Sequence, residues 1–170
     1  MQRIGLLSDT HGYIDQKMLD FFNPVDEIWH AGDIGSMNII ENLRTIKPLR
    51  AVHGNIDDSS IRNGFPEKLF FTIEQSNVFM THIGGYPGKY SPGILTELKE
   101  KSPNLFICGH SHILKVQYDQ NLKLMHLNPG AAGKQGLHQV RTALRFIIKG
   151  DKIEELEIFE IDPRKKEKYR

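Results

Sequence analysis

The sequence predicts an α/β protein in which two mixed β-sheets pack together and helices flank them. Three features of the 170-residue chain carry that prediction. Short apolar runs alternate with amphipathic segments through the first half, the rhythm of parallel strands joined by helices. The last third is a succession of strand-like segments with short polar turns. Several apolar runs also stop abruptly at polar residues beside glycine, as strands do where their ends open on a site.

The elements follow in order. Residues 3–8 read as a buried strand that ends at Asp9. Residues 14–22 read as a helix, because Ile14, Met18, Phe21 and Phe22 share a face and Pro24 stands beyond its end. A second strand, 25–30, leads into Ala31-Gly32-Asp33. Ser36 N-caps a helix to about Arg44, with Ile39, Ile40 and Leu43 on one side. A third strand, 48–53, leads into Gly54-Asn55-Ile56-Asp57. Residues 69–74 and 77–81 flank a very short polar turn and predict a hairpin, whose second strand leads into His82. Residues 84–88 are loop, 93–101 a helix with Pro92 near its start, and 104–108 a buried strand before Gly109-His110-Ser111-His112. Residues 114–118, 122–127, 142–148 and 152–161 read as strands of an antiparallel second half, turning at 119–121 and at Gly150-Asp151.

An apolar content of 39% suffices for one sizeable core. The reading is a single domain over residues 1–162, followed by a basic tail, 163–170, with five basic residues among the last seven. A net charge of +1 gives no overall pull toward nucleic acid or anionic membrane. Cys108 is the only cysteine, so no internal disulfide forms. The apolar run before Asp9 is too short for a signal peptide, and no stretch approaches the length of a membrane span. A cytoplasmic protein is the expectation.

The polar residues at strand ends carry the chemistry. Asp9 and His11, Asp33, Asn55, His82, and His110 with His112 each follow an apolar run, and glycines adjoin them at positions 12, 32, 54 and 109. A buried carboxylate needs a partner. Strand carboxyl ends share a rim, so two carboxylates, one amide and four imidazoles would meet in one neighbourhood. Seven ligands suit two ions rather than one, with Asp33 the natural bridge through its two oxygens. Nitrogen and oxygen donors without thiolate favour catalytic transition metals over a structural zinc site.

The blocks Asp9-Thr10-His11, Gly32-Asp33, Gly54-Asn55, His82 and Gly109-His110-Ser111-His112, in that order, resemble the calcineurin-like metallophosphoesterase superfamily. The resemblance spans residues 3 to about 130, and its small bacterial and archaeal phosphodiesterases are the nearest branch in length. It implies the four-layer metallophosphoesterase sandwich. It implies Asp9, His11 and His112 as ligands of a first metal, Asn55, His82 and His110 of a second, and Asp33 between them. Asp33, Asn55 and His82 are then the catalytic set, with Asn55 also a donor to a phosphoryl oxygen. Two divalent ions are implied, manganese foremost, then nickel, cobalt, iron or zinc. The reaction implied is attack of a metal-bound hydroxide on a small phosphodiester. The late Asn128-Pro129-Gly130 resembles a family loop bordering the site.

Departures from the family pattern matter. Many members place a proton-donating His after the Gly-Asn pair, where this chain has Ile56. His53 is a candidate substitute, although strand alternation points it elsewhere. His82 is followed by Ile83 instead of glycine. His30 is expected behind the ligands or facing substrate. Trp29 and Cys108 read as core, and His126 and His138 receive no role. Lys134, His138 and Arg141 would form a cationic lip only if their loop is not simply solvated. A rival reading is a scaffold that keeps the fold, as in the retromer-associated relative, but here all seven ligands are present. A nuclease acting on a polymer has only the basic tail in its favour. Small members often self-associate, so a homo-oligomer is compatible with the resemblance.

Overall fold

The computed structural model describes residues 1–164; the basic tail predicted from 163 onward lies mostly outside the described residues. The chain runs β1 (Gln2–Leu7), α1 (Gln16–Phe21), β2 (Glu27–His30), α2 (Met37–Ile46), β3 (Leu49–Ala51), α3 (Ser59–Gly64), β4 (Lys68–Ile73), β5 (Ser76–Thr81), β6 (Gly85–Tyr86), β7 (Lys89–Tyr90), α4 (Ile94–Lys101), β8 (Leu105–Ile107), β9 (Leu114–Asp119), β10 (Leu124–Pro129), β11 (Arg141–Lys149) and β12 (Lys152–Ile161). One sheet has the order β12-β11-β1-β2-β3 and the other β4-β5-β8-β10-β9, with β6 and β7 as a separate small hairpin. Each large sheet has three adjacent parallel strands: β1, β2 and β3 in the first, β5, β8 and β10 in the second.

Strand alternation builds the layers. Ile4 and Leu6 of β1 pack between the sheets with Val78 and Met80 of β5, Leu105 and Ile107 of β8, and Trp29. Leu7 packs on the other face with Met18, Phe22, Ile39, Ile40 and Leu43 from the helical side. Phe79, Phe106 and Cys108 turn outward to Ile94 and Leu98 of α4. Helix, sheet, sheet, helix is therefore the predicted four-layer sandwich. Trp29 is fully buried, edge-on to Phe71 at 5.1 Å, and Cys108 is core, where burial pushes its thiol pKa up to about 12.

Two expectations need correction, and one helix was not foreseen. The last four strands do not form one antiparallel half. β9 and β10 complete the second sheet, and β10 runs parallel to β8; β11 and β12 cross back to the first sheet, where β11 pairs antiparallel with β1. Part of the loop at 84–88 pairs as the hairpin β6–β7. Residues 59–64 form α3 without an apolar stripe, because the Asp58 side chain caps it by accepting from Ser60 N and Ile61 N at 3.0 and 3.2 Å. Ser36 does stand at the N-cap of α2, though its side chain makes no capping bond.

Candidate metal centre

The site sits where strand carboxyl ends of both sheets meet. β1, β2 and β3 deliver Asp9 and His11, Asp33, and Asn55; β5 and β8 deliver His82, and His110 with His112. Backbone bonds lace the loops together. Asp9 N donates to Gly32 O at 3.0 Å, His11 N to Asp33 O at 3.0 Å, and Gly109 N to His82 O at 2.9 Å.

Two trios of ligand atoms result: Asp9, His11 and His112, and Asp33, His82 and His110, with the atoms of each trio within 4.8 Å of one another. The carboxylates divide their oxygens. Asp9 Oδ2 accepts from Ser8 Oγ at 2.6 Å and His110 N at 3.1 Å. Asp9 Oδ1 instead faces Nε2 of His112 at 3.1 Å, of His11 at 3.7 Å and of His82 at 3.8 Å. Asp33 Oδ1 accepts from Ile56 N at 3.1 Å, while Oδ2 lies 3.1 Å from His82 Nε2 and 3.6 Å from His11 Nε2. Asp33 thus stands between a ring of one trio and a ring of the other.

The backbone there is strained. Asp9, His11, Asp33, His110 and His112 all have φ between 45° and 68°, five of the nine non-glycine residues at positive φ among those described. Each such residue costs about 1–2 kcal/mol. Of the four adjoining glycines, Gly12 (φ 77°) and Gly32 (φ 97°) take part in these turns, and the predicted ligands themselves supply the other left-handed positions. At Gly54 the demand is for space: a Cβ would stand 2.0 Å from Asp33 Oδ1.

The electrostatics favour positive charge at the centre. Burial works to raise the Asp9 carboxyl pKa, but His11 and His112 beside it draw the net value well below the ordinary range. Asp33 is likewise lowered, burial being overcome by His82. Asp9 raises His11, and Asp33 and Asp9 raise His82 against the opposing effect of its burial. The His82 Nδ1 donates to Ala31 O at 2.8 Å, so the neutral ring keeps its lone pair at Nε2. Asp9 Oδ1, His11 Nε2 and His82 Nε2 are buried and find no hydrogen-bond partner among the described residues. Three bare, converging donor atoms around ionised carboxylates fit a divalent ion, which supplies the missing partner and the positive charge together.

The remaining predicted residues are placed as follows. Asn55 is exposed and lines a cavity of about 400 Å³ beside His82, together with His53, Arg62, Lys68 and Ile83. His30 does not face substrate. It is fully buried, Gly32 N donates to its Nδ1 at 3.1 Å, and its Nε2 lies 2.9 Å from Thr10 Oγ1, whose hydrogen goes to Ile34 O at 2.8 Å. Burial pushes its pKa down to about 4, so it is a neutral brace behind the turn. Asn128 Nδ2 donates to Gly109 O at 2.9 Å and to Ser111 Oγ at 3.1 Å, holding the loop of His110 and His112. Lys134 and Arg141 lie over the Tyr13 ring at 4.0 and 5.3 Å, and Arg141 pairs with Asp15 at 2.7 Å.

Sequence reasoning missed two side chains. Asp57, in the loop after β3, accepts from Ile34 N, Gly35 N and Gly54 N at 3.1, 2.8 and 2.8 Å, tying the Asp33 loop to the Asn55 loop. Its position two residues after Asn55 was the available signal. His138 contacts His112, and nothing local to it marks that contact.

Residues 2–151 match the model of the calcineurin-like phosphoesterase superfamily domain. The chain belongs to that superfamily. It is 32% identical over 134 residues to a probable metallophosphoesterase of Methanothermobacter thermautotrophicus, covering 75% of this chain and 76% of the relative. A probable metallophosphoesterase of Methanocaldococcus jannaschii is 29% identical over 134 residues, covering 75% and 67% of the two chains. Among solved structures, wild-type Vps29 of Entamoeba histolytica complexed with Zn²⁺ superposes with a TM-score of 0.73 at 18% identity, covering 94% and 98% of the two chains. That likeness is one of fold. Family and fold together make the chain a metallophosphoesterase, a hydrolase class that works with divalent metal ions. Among the described residues no helix is long and apolar enough to cross a membrane.

Proposed function

We propose that this metallophosphoesterase hydrolyses small phosphodiesters with two divalent ions, manganese foremost. Asp9, His11 and His112 hold one ion, Asn55, His82 and His110 the other, and Asp33 bridges them. The observation that carries the reading is the position of Asp33 Oδ2, 3.6 Å from His11 Nε2 and 3.1 Å from His82 Nε2. Such a pair of ions activates water and polarises the phosphoryl group.

The chain's own residues do the rest. Ser8 and the His110 N–H hold one Asp9 oxygen so that the other faces inward. Ala31 O fixes the His82 tautomer. Arg62 donates to the carbonyls of Gly54 and Asn55 at 3.2 and 3.0 Å, which steadies the loop from which Asn55 meets a phosphoryl oxygen. The cavity of about 400 Å³ suits a small ester, with Ile83 for its apolar part. His53 lines the same cavity, but its Nδ1 is directed to Gly54 O at 3.2 Å. Ile56, 46% exposed, offers no proton to the leaving group. A scaffold role, suggested by fold likeness to Vps29, gains nothing from these bare buried donors, which are costly without an occupant.

The test is hydrolysis of an aryl phosphodiester by metal-free protein supplied with Mn²⁺. Turnover should appear with Mn²⁺, vanish with EDTA, and fall sharply in a folded Asp33→Asn variant. Activity in Asp33→Asn equal to wild type would sink the proposal.

A further inference from the structure

His138 stands on the loop between β10 and β11, and its Nδ1 lies 3.2 Å from Nδ1 of His112. Its Nε2 lies 2.8 Å from the carbonyl oxygen of Gly133. A carbonyl only accepts, so His138 Nε2 carries a hydrogen. The neutral ring then has a bare Nδ1, which only accepts. The hydrogen between the two rings therefore belongs to His112 Nδ1. Neutral His112 is left with its lone pair at Nε2, the atom 3.1 Å from Asp9 Oδ1.

The loop holds this pair in place. The rings meet edge to face, with centroids 5.0 Å apart and planes at 81°. Gly136, at φ +128°, passes directly over them: a Cβ there would stand 2.4 Å from His112 Nδ1 and 3.0 Å from His138 Nδ1. Gly133 N donates to Asp9 O at 3.0 Å, so the loop is anchored on the strand end that carries the first trio.

We propose that His138 is a positioning residue that sets the tautomer and direction of His112, so that His112 Nε2 faces an ion held with Asp9 and His11. The inference rests on the two-ion reading above. It makes the loop after β10 a working part of the centre. A partner of this kind is typically worth about 10–100-fold in metal affinity.

The experiment is calorimetric titration of metal-free protein with Mn²⁺, with bound metal counted after gel filtration. His138→Gln places its amide near the former Nε2, so it keeps a donor for Gly133 and loses the acceptor for His112. His138→Asn places an oxygen near the former Nδ1 and restores that acceptor. Wild type should bind two ions. His138→Gln should bind one of them about 10–100-fold more weakly and the other unchanged, while His138→Asn should stay within a few-fold of wild type. Leu137→Ala, on the same loop and fully exposed, should titrate as wild type. In a His112→Ala background, adding His138→Gln should cost nothing more. Unchanged binding in His138→Gln, equal weakening of both ions, or the same loss in the His112→Ala background each overturns the assignment. A wild-type protein that binds no divalent ion removes the two-ion reading itself, and this inference with it.

Discussion

Replacing Asp57 with Asn strikes the carboxylate that joins two loops of the site. Asp57 is 4% exposed; its Oδ2 accepts from Ile34 N at 3.1 Å and Gly54 N at 2.8 Å, and its Oδ1 from Gly35 N at 2.8 Å. Asn keeps one acceptor oxygen and turns an amino group toward the other side. At least one of the three backbone N–H groups then faces a donor, whichever way the amide lies. A hydrogen bond to a charged group contributes about 1.5–3 kcal/mol, and a buried donor left unpaired costs about 1–3 kcal/mol. One bond lost and the others deprived of charge assistance come to about 3 kcal/mol. In a domain of this size each kcal/mol moves Tm by about 2–4 °C, so metal-free Asp57→Asn should melt about 6–12 °C below wild type. Circular-dichroism melts in EDTA measure this, and Mn²⁺ titration should show weaker metal binding, because Asp33 stands between the two trios. A variant melting within about 2 °C of wild type, with unaltered metal binding, would refute the view that Asp57 braces the site.

Gly54→Ala would set a Cβ 2.0 Å from Asp33 Oδ1 and 2.3 Å from Asp33 N, so Asp33 must move. A displacement near 1 Å costs about 100-fold in turnover, and wild-type kcat in this variant would contradict the geometry. His126 is fully buried with neither ring nitrogen partnered among the described residues, and burial pushes its pKa from 6.5 down to about 4. Unfolding restores the higher value, so the unfolded chain binds the extra proton as pH falls from 6.5 toward 4, and stability present above that window is lost within it. His126→Leu removes this titration; its stability relative to wild type should therefore improve by about 2 kcal/mol between pH 8 and pH 5. Urea melts giving the same difference at both pH values would count against it. With Ile56 in place of a proton donor, aryl phosphodiesters should be turned over about 10²–10⁴-fold faster than alkyl ones. Equal rates across a leaving-group pKa series, with chemistry rate-limiting, would show that another group donates the proton.

What was legible in the chain by itself was whatever depends on near neighbours. The two-residue period of a strand decides that Ile4 and Leu6 share one face and Leu7 the other. Asp9, Asp33 and His82 follow the ends of β1, β2 and β5 within three residues, so the predicted ligands could be read from where the apolar runs give out. Their order along the chain was enough for the family.

The tertiary structure decided what depends on partners far along the chain. Alternation marks β11 and β12 as strands but says nothing of which sheet they join; that choice rests on pairing between β11 and a strand more than a hundred residues earlier. His30 and His138 are both imidazoles near the site, yet one is sealed behind Thr10 and Gly32 while the other reaches His112. Asp57 gains its importance from three N–H groups on two separate loops. A hydrogen bond of this kind depends on the position of both ends, and only the folded chain brings those ends together: β2 beside β3 for Asp57, β1 beside β2 for His30, and the loops after β8 and β10 for His138.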